Sequence, residues 1–213
     1  MTNYVVFDLE TAPDLAIARR LLRLDATVPD ETVRSALAEK YARPDQDPAE
    51  IFLKAPFHRV VCIGAVYAER EHDGPFTVRS LGARHIGDKD EARLIGDFIA
   101  SLPQEHAGKG PVLVSFNGGG FDLPVLRYRA LAHSLSVPAM FRGSGRDYWY
   151  RFGWDHIDLC DMLSGFGASS IAAGLLACAP FADGTALPFS SAPETSESMT
   201  GKDWQLPQGR EMK

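Results

Sequence analysis

Short apolar runs that alternate with amphipathic helical stretches predict an α/β domain built on a mixed sheet. Three observations carry this prediction. β-Branched, strand-like runs occur at residues 4–10, 59–67 and 112–116. The second is followed, across a polar stretch at residues 69–75, by an alternating run at residues 76–81, the pattern of a hairpin. Helically spaced leucines, isoleucines and alanines fill the intervals between the other runs. The length of 213 residues favours one domain, and a chain of this size buries roughly 70% of the surface its unfolded form exposes, so a full core needs no disulfide and no structural metal.

In chain order, residues 4–10 (Y-V-V-F-D-L-E) read as a buried strand that stops at Thr11-Ala12-Pro13, where proline interrupts a ladder. Leu15, Ala18, Leu21 and Leu22 have helical spacing, and a second helical run at residues 31–41 carries Val33 and Leu37. Together they predict a helical insertion at about residues 14–50, with a proline-broken exit at Pro44 and Pro48. Asp88-x-x-Glu91 has the form of a capping box, followed by Leu94, Ile95, Phe98, Ile99 and Leu102 on one helical face until Pro103. After the strand at residues 112–116, Gly118 to Gly120 make a turn, and residues 122–135 read as a helix with Leu123, Leu126, Ala130 and Leu131 aligned. The domain is expected to span residues 1–178. In residues 181–213, 13 of 33 residues are Gly, Pro, Ser or Thr and only 10 are hydrophobic, so residues 179–213 are expected to form an irregular or disordered tail.

Twenty-two Lys and Arg against 28 Asp and Glu give a net charge of -6, which speaks against electrostatic coating of duplex DNA or of an anionic membrane. It leaves room for an enzyme that grips only a strand end. The cysteines, Cys62, Cys160 and Cys178, are odd in number and form no C-x-x-C pair, so neither a disulfide framework nor a thiolate zinc site is expected. No signal peptide and no run of eighteen apolar residues is apparent, so the expected location is the cytoplasm, with no membrane partner.

Asp8 and Glu10 lie two residues apart on the first strand, so both point to one face about 6 to 7 Å apart along it. Two carboxylates there repel, and a cation is the ordinary relief. The plain alternative is a strand that ends at Phe7 and leaves both side chains solvated. Asp122 follows the glycine turn at the start of a helix, where Asp also serves as an N-cap. In combination, an acid pair on one strand and an acid after another strand can share a hard-metal site, for which oxygen ligands select Mg2+ or Mn2+.

F-D-L-E-T at residues 7–11 and N-G-G-G-F-D at residues 117–122 resemble the first two motifs of the DEDD 3'-to-5' exonucleases, and most closely the predicted exonucleases related to the proofreading domain of family B DNA polymerases. F-H-R-V-V-C-I-G-A-V-Y at residues 57–67 and H-I-D-L-C-D-M-L at residues 156–163 add to the similarity, which covers about residues 3–168. The resemblance implies a ribonuclease H-like, mixed five-stranded sheet flanked by helices. It implies a two-ion Mg2+ or Mn2+ site held by Asp8, Glu10 and Asp122, and a strand-end pocket lined by Thr11, Asn117 and Phe121. The family's third motif, Tyr-x-x-x-Asp on a late helix, is missing: no tyrosine occurs after Tyr150. His156, Asp158 and Asp161 form a substitute of His-x-x-x-x-Asp form, but in the closer family that segment matches a strand before the third motif, which makes them supporting residues. Similarity and helical patterning end together near Ala168, so the C-terminal helical part is expected to be incomplete, as after a frameshift or truncation.

Between residues 127 and 154, arginines alternate with aromatic residues, including Arg146, Tyr148 and Trp149. This mixture grips single strands by pairing with phosphates and stacking on bases; the alternative is an aromatic stripe facing the core. The sequence therefore predicts a metal-dependent 3'-5' exonuclease acting on single-stranded or frayed DNA ends, with RNA left open and turnover impaired by the missing motif. The rival readings are a catalytically inactive nucleic-acid-binding module of the same fold and, further off, an acidic interaction protein.

Overall fold

The first apolar run of the chain becomes the centre of the sheet because both of its edges find partners. A computed structural model describes residues 1–48, 51–104, 109–137, 140 and 145–166. The expected tail at residues 179–213 and the expected incomplete C-terminal part lie outside the described residues. The strands are β1 (Thr2–Pro13), β2 (His58–Arg70), β3 (Phe76–His85), β4 (Val112–Ser115) and β5 (His156–Asp158). They are ordered β3-β2-β1-β4-β5. β1 pairs antiparallel with β2 and parallel with β4, β2 pairs antiparallel with β3, and β4 pairs parallel with β5. This order with these directions is the ribonuclease H-like arrangement.

β1 runs further than the proline signal predicts, because Thr11, Ala12 and Pro13 continue to pair with β2 after a register shift between Glu10 and Thr11. Glu10 faces Cys62 and Thr11 faces Val60, so Val61 is the extra residue of a bulge in β2. The helices are α1 (Leu15–Leu22), α2 (Asp30–Tyr41), α3 (Glu91–Ala100), α4 (Asp122–Ala132) and α5 (Leu159–Leu163). Asp14 caps α1 by accepting from the Ile17 N–H. α3 corrects the expected capping box: its cap is Asp90, which accepts from the Arg93 N–H, while the Glu91 carboxylate turns inward to other partners.

Alternation along β1 sorts its two faces. Val5, Phe7 and Leu9 are buried against Leu94, Ile95, Phe98 and Ile99 of α3 and Leu123, Leu126 and Ala130 of α4, each side chain contributing about 1.5 to 3 kcal/mol by leaving water. Val6, Asp8 and Glu10 occupy the other face and are exposed. The predicted insertion packs a small core of its own, in which Ala18, Val33, Leu37 and Leu53 are buried. No helix of the described residues is long and apolar enough to cross a membrane.

Candidate metal centre and strand-end site

The glycine turn between β4 and α4 is shaped so that Asp122 reaches β1. Asn117 takes a left-handed backbone with φ of 59°, which asparagine tolerates better than most residues. A Cβ on Gly118 would stand 2.1 Å from Ser115 Oγ, so glycine is required where the chain folds back on the end of β4. Asp158, at the end of β5, accepts from the Asn117 N–H (2.7 Å) and the Gly119 N–H (2.9 Å), fixing the turn from below. α4 then starts with Asp122 in its first turn, and its cap is Phe121, which makes no side-chain cap bond. Asp122 is therefore not the N-cap that its position could have made it. Its carboxylate instead accepts from the Leu9 N–H of β1 at 3.2 Å, between the two acids of that strand.

Asp122 is only 3% exposed. Burial, followed by the charges of Asp8 and Asp158, pushes its pKa from 3.8 to about 6, against the hydrogen bonds from the backbone that favour ionisation. Partial burial also raises Asp8. Glu10 lies on the same face as Asp8, opposite Cys62, whose thiol pKa is raised by burial and by the charges of Glu10 and Asp8. Among the described residues no three His, Cys, Asp or Glu side chains are close enough together to enclose a metal ion. The donor chemistry still fits a hard divalent cation. Asp8 and Asp122 offer carboxylate oxygens that repel each other, one of them is buried and driven towards protonation, and a cation removes that penalty.

The other residues that the sequence singles out take separate places. Thr11 Oγ1 is 2.9 Å from His58 Nδ1, and His58 Nε2 is 2.9 Å from the Leu53 carbonyl. A carbonyl only accepts, so Nε2 donates and, in the neutral ring, Nδ1 accepts from the Thr11 hydroxyl. Phe121 stacks with Phe52 (5.0 Å) and His58 (4.9 Å), joining the insertion to the start of α4. Tyr148 is buried and donates to the Pro111 carbonyl at 2.8 Å. Arg146 donates to the Gly110 carbonyl and to Asp155. Trp149 carries the Arg127 guanidinium over its ring at 5.3 Å. His156 Nε2 is 2.7 Å from Ser115 Oγ, and Asp161 holds Arg151. Asn117, Phe121, Asp122 and Asp158 thus cluster around the glycine turn, while Arg146 and Tyr148 fasten the loop before β5.

One buried charge cluster gave no sequence signal. Arg129 of α4 donates to both oxygens of Glu91 on α3 and to Asp14 at the start of α1. Glu91 also accepts from the Val60 N–H and lies 2.9 Å from His133 Nε2. Its members come from four stretches of chain, so no local spacing could announce it.

A five-stranded mixed sheet of this order, with Asp122 brought onto β1 beside Asp8, is a ribonuclease H-like α/β domain. The family of predicted 3'-5' exonucleases related to the exonuclease domain of PolB matches residues 50–181. That is more than half of the chain, and the chain belongs to this family. The match runs past Ala168 to residue 181, which corrects the expectation that similarity stops near 168, and it begins after the F-D-L-E-T segment of β1. No curated protein matches the chain.

Proposed function

We propose that this protein is a metal-dependent 3'-5' exonuclease-like enzyme acting on single-stranded or frayed DNA ends. The observation that carries the reading is the buried Asp122 carboxylate, brought onto the Leu9 N–H of β1 beside Asp8, where burial and the charges of Asp8 and Asp158 push its pKa up to about 6. Folding has concentrated negative charge where a strand, a turn and a helix terminus meet, and Mg2+ or Mn2+ is the natural complement.

Asp8 and Asp122 would hold the metal, with Glu10 on the same face of β1 directing the attacking water. The bound ion supplies charge neutralisation at the phosphoryl oxygens and acidifies a water at neutral pH. Asp122 must be ionised to serve, so binding strengthens as pH rises through about 6. Asn117 and Phe121 flank Asp122, and Phe121 with the exposed Phe52 presents aromatic surface for the terminal base. Asp158 acts through the turn, holding two of its amides in place.

The test is an end-labelled single-stranded oligonucleotide incubated with Mg2+ or Mn2+, beside an Asp8→Ala variant. A ladder shortening from the 3' end that disappears in the variant is the expected result. Binding without shortening replaces the enzyme with a binding module of the same fold. Neither binding nor shortening overturns the nucleic-acid reading.

A further inference from the structure

Against the glycine turn lies a cavity of about 260 Å3 whose lining residues do not include Asp8. One wall is the turn itself, at Asn117 and Gly119, and the other is formed by Trp149, Arg151 and Asp161, with His156 among the lining residues. His156 is 94% buried by its 6% exposure. Its Nε2 is engaged by Ser115 Oγ, and its Nδ1 has no hydrogen-bond partner among the described residues. A Cβ placed on Gly119 would press on Asp158 Oδ2 at 3.2 Å and lie in ordinary contact, 4.0 Å, with that Nδ1, so the turn and the imidazole edge are direct neighbours in the cleft.

The chemistry of the walls selects the ligand. Asp158 and Asp161 line the cavity, and its one lining cation among the described residues, Arg151, is already held by both oxygens of Asp161. Such a cavity disfavours a free anion. It offers neutral hydrogen-bonding groups, the Asn117 amide and the His156 ring nitrogen, beside an indole. The volume falls below the ~300 to 1,000 Å3 of cavities for larger organic ligands, which suits a flat heterocycle. Burial lowers the His156 pKa and keeps its ring neutral. Uncharged planar groups that hydrogen-bond along one edge and stack on aromatic or guanidinium planes are nucleobases.

We propose that this cleft binds one nucleobase of the substrate strand, set back from the terminal phosphodiester, with Asn117 and His156 Nδ1 on its edge and Trp149 and Arg151 against its faces. The assignment rests on the exonuclease reading for its substrate but concerns a place separate from the carboxylates.

The experiment scans single abasic positions along the 3' end of a labelled oligonucleotide, using full-length Asp8→Ala protein so that the strand stays intact. One position set back from the end should weaken binding between about five- and one hundred-fold, the effect of losing one well-stacked base. The step at that position should disappear when Asn117→Gly, which suits the left-handed backbone, or His156→Gln is added, with thermal melting confirming that each variant folds. A flat scan in a protein that binds the intact strand overturns the cleft, as does a step unchanged by both variants. A step that persists where wild-type protein never shortens DNA keeps the cleft and removes the exonuclease. Failure of the wild-type and Asp8→Ala proteins to bind any strand overturns both.

Discussion

Two buried charge clusters sit at either end of α4 and are built in opposite ways. At its C-terminal end Arg129, 5% exposed, bridges Asp14 and Glu91, so each buried carboxylate there has a cationic partner. At its N-terminal end Asp122, 3% exposed, meets Asp8 and Asp158, which are acids as well. The first arrangement is complete and ties α1, α3, α4 and β2 together. The second is electrostatically unfinished, and its cost is tolerated at the one place where the chain is expected to take up a cation. Paired buried charge belongs to the scaffold, and the buried charge without a cationic partner in this contrast lies where the metal site is proposed.

The largest expected effect breaks the paired cluster. Arg129→Ala leaves Asp14 and Glu91 buried without their cation and should lower unfolding stability by about 3 to 5 kcal/mol in urea denaturation. The opposite sign is expected at the other end of the helix. Asp122→Asn keeps the Leu9 N–H bond but removes the charge, and with a pKa shift from 3.8 to about 6 it should raise stability at neutral pH by up to about 3 kcal/mol while abolishing 3'-end shortening. A destabilised Asp122→Asn protein would remove the contrast.

The pH dependences should also oppose each other. Asp122 is raised in the folded protein, so its contribution is present below pH 4 and is lost as pH rises from about 4 to about 6. Glu91 is depressed, through its hydrogen bonds to Arg129, His133 and Val60 acting against burial. Its contribution is present above the ordinary carboxylate range and is lost as pH falls through its lowered value. Melting temperature measured against pH in wild type, Asp122→Asn and Glu91→Gln separates the two slopes. A smaller effect sharpens the comparison: Mn2+ at one hundred times its dissociation constant should stabilise the wild type by about 2.7 kcal/mol, with the gain lost in Asp8→Ala and retained by Glu91→Gln.

What was legible in the sequence follows from the range of the forces involved. The strands, the hairpin and α3 are written in local periodicity, since Phe7 and Leu9 or Leu94 and Phe98 reach the same core from neighbouring positions. Element ends were less legible: β1 runs on through Thr11 and Ala12 to Pro13 because β2 offers partners there, and α3 is capped by Asp90 while Glu91 is drawn to Arg129. β5, three residues long, is too short to carry a period and emerged only through resemblance. At the site, residue types and order pointed to Asp8 and Asp122 together, but the contact that brings them together spans more than one hundred residues. The direction of Tyr148 was hidden for the same reason, since an aromatic beside arginines reads alike whether it faces solvent or, as here, the Pro111 carbonyl.

The single surplus residue in β2 governs how much the chain can change in length. Val60 and Ile63 both enter the core although they are three apart, which a regular pleat forbids and the bulge at Val61 permits. Removing Val61 would leave Val60 and Ile63 two apart, the spacing at which a regular pleat places both in the core, so β2 would lose its bulge and keep its partners on β1. A deletion in the regularly paired part of β2 would instead reverse the faces of every residue beyond it, so tolerance of a length change is confined to the bulge.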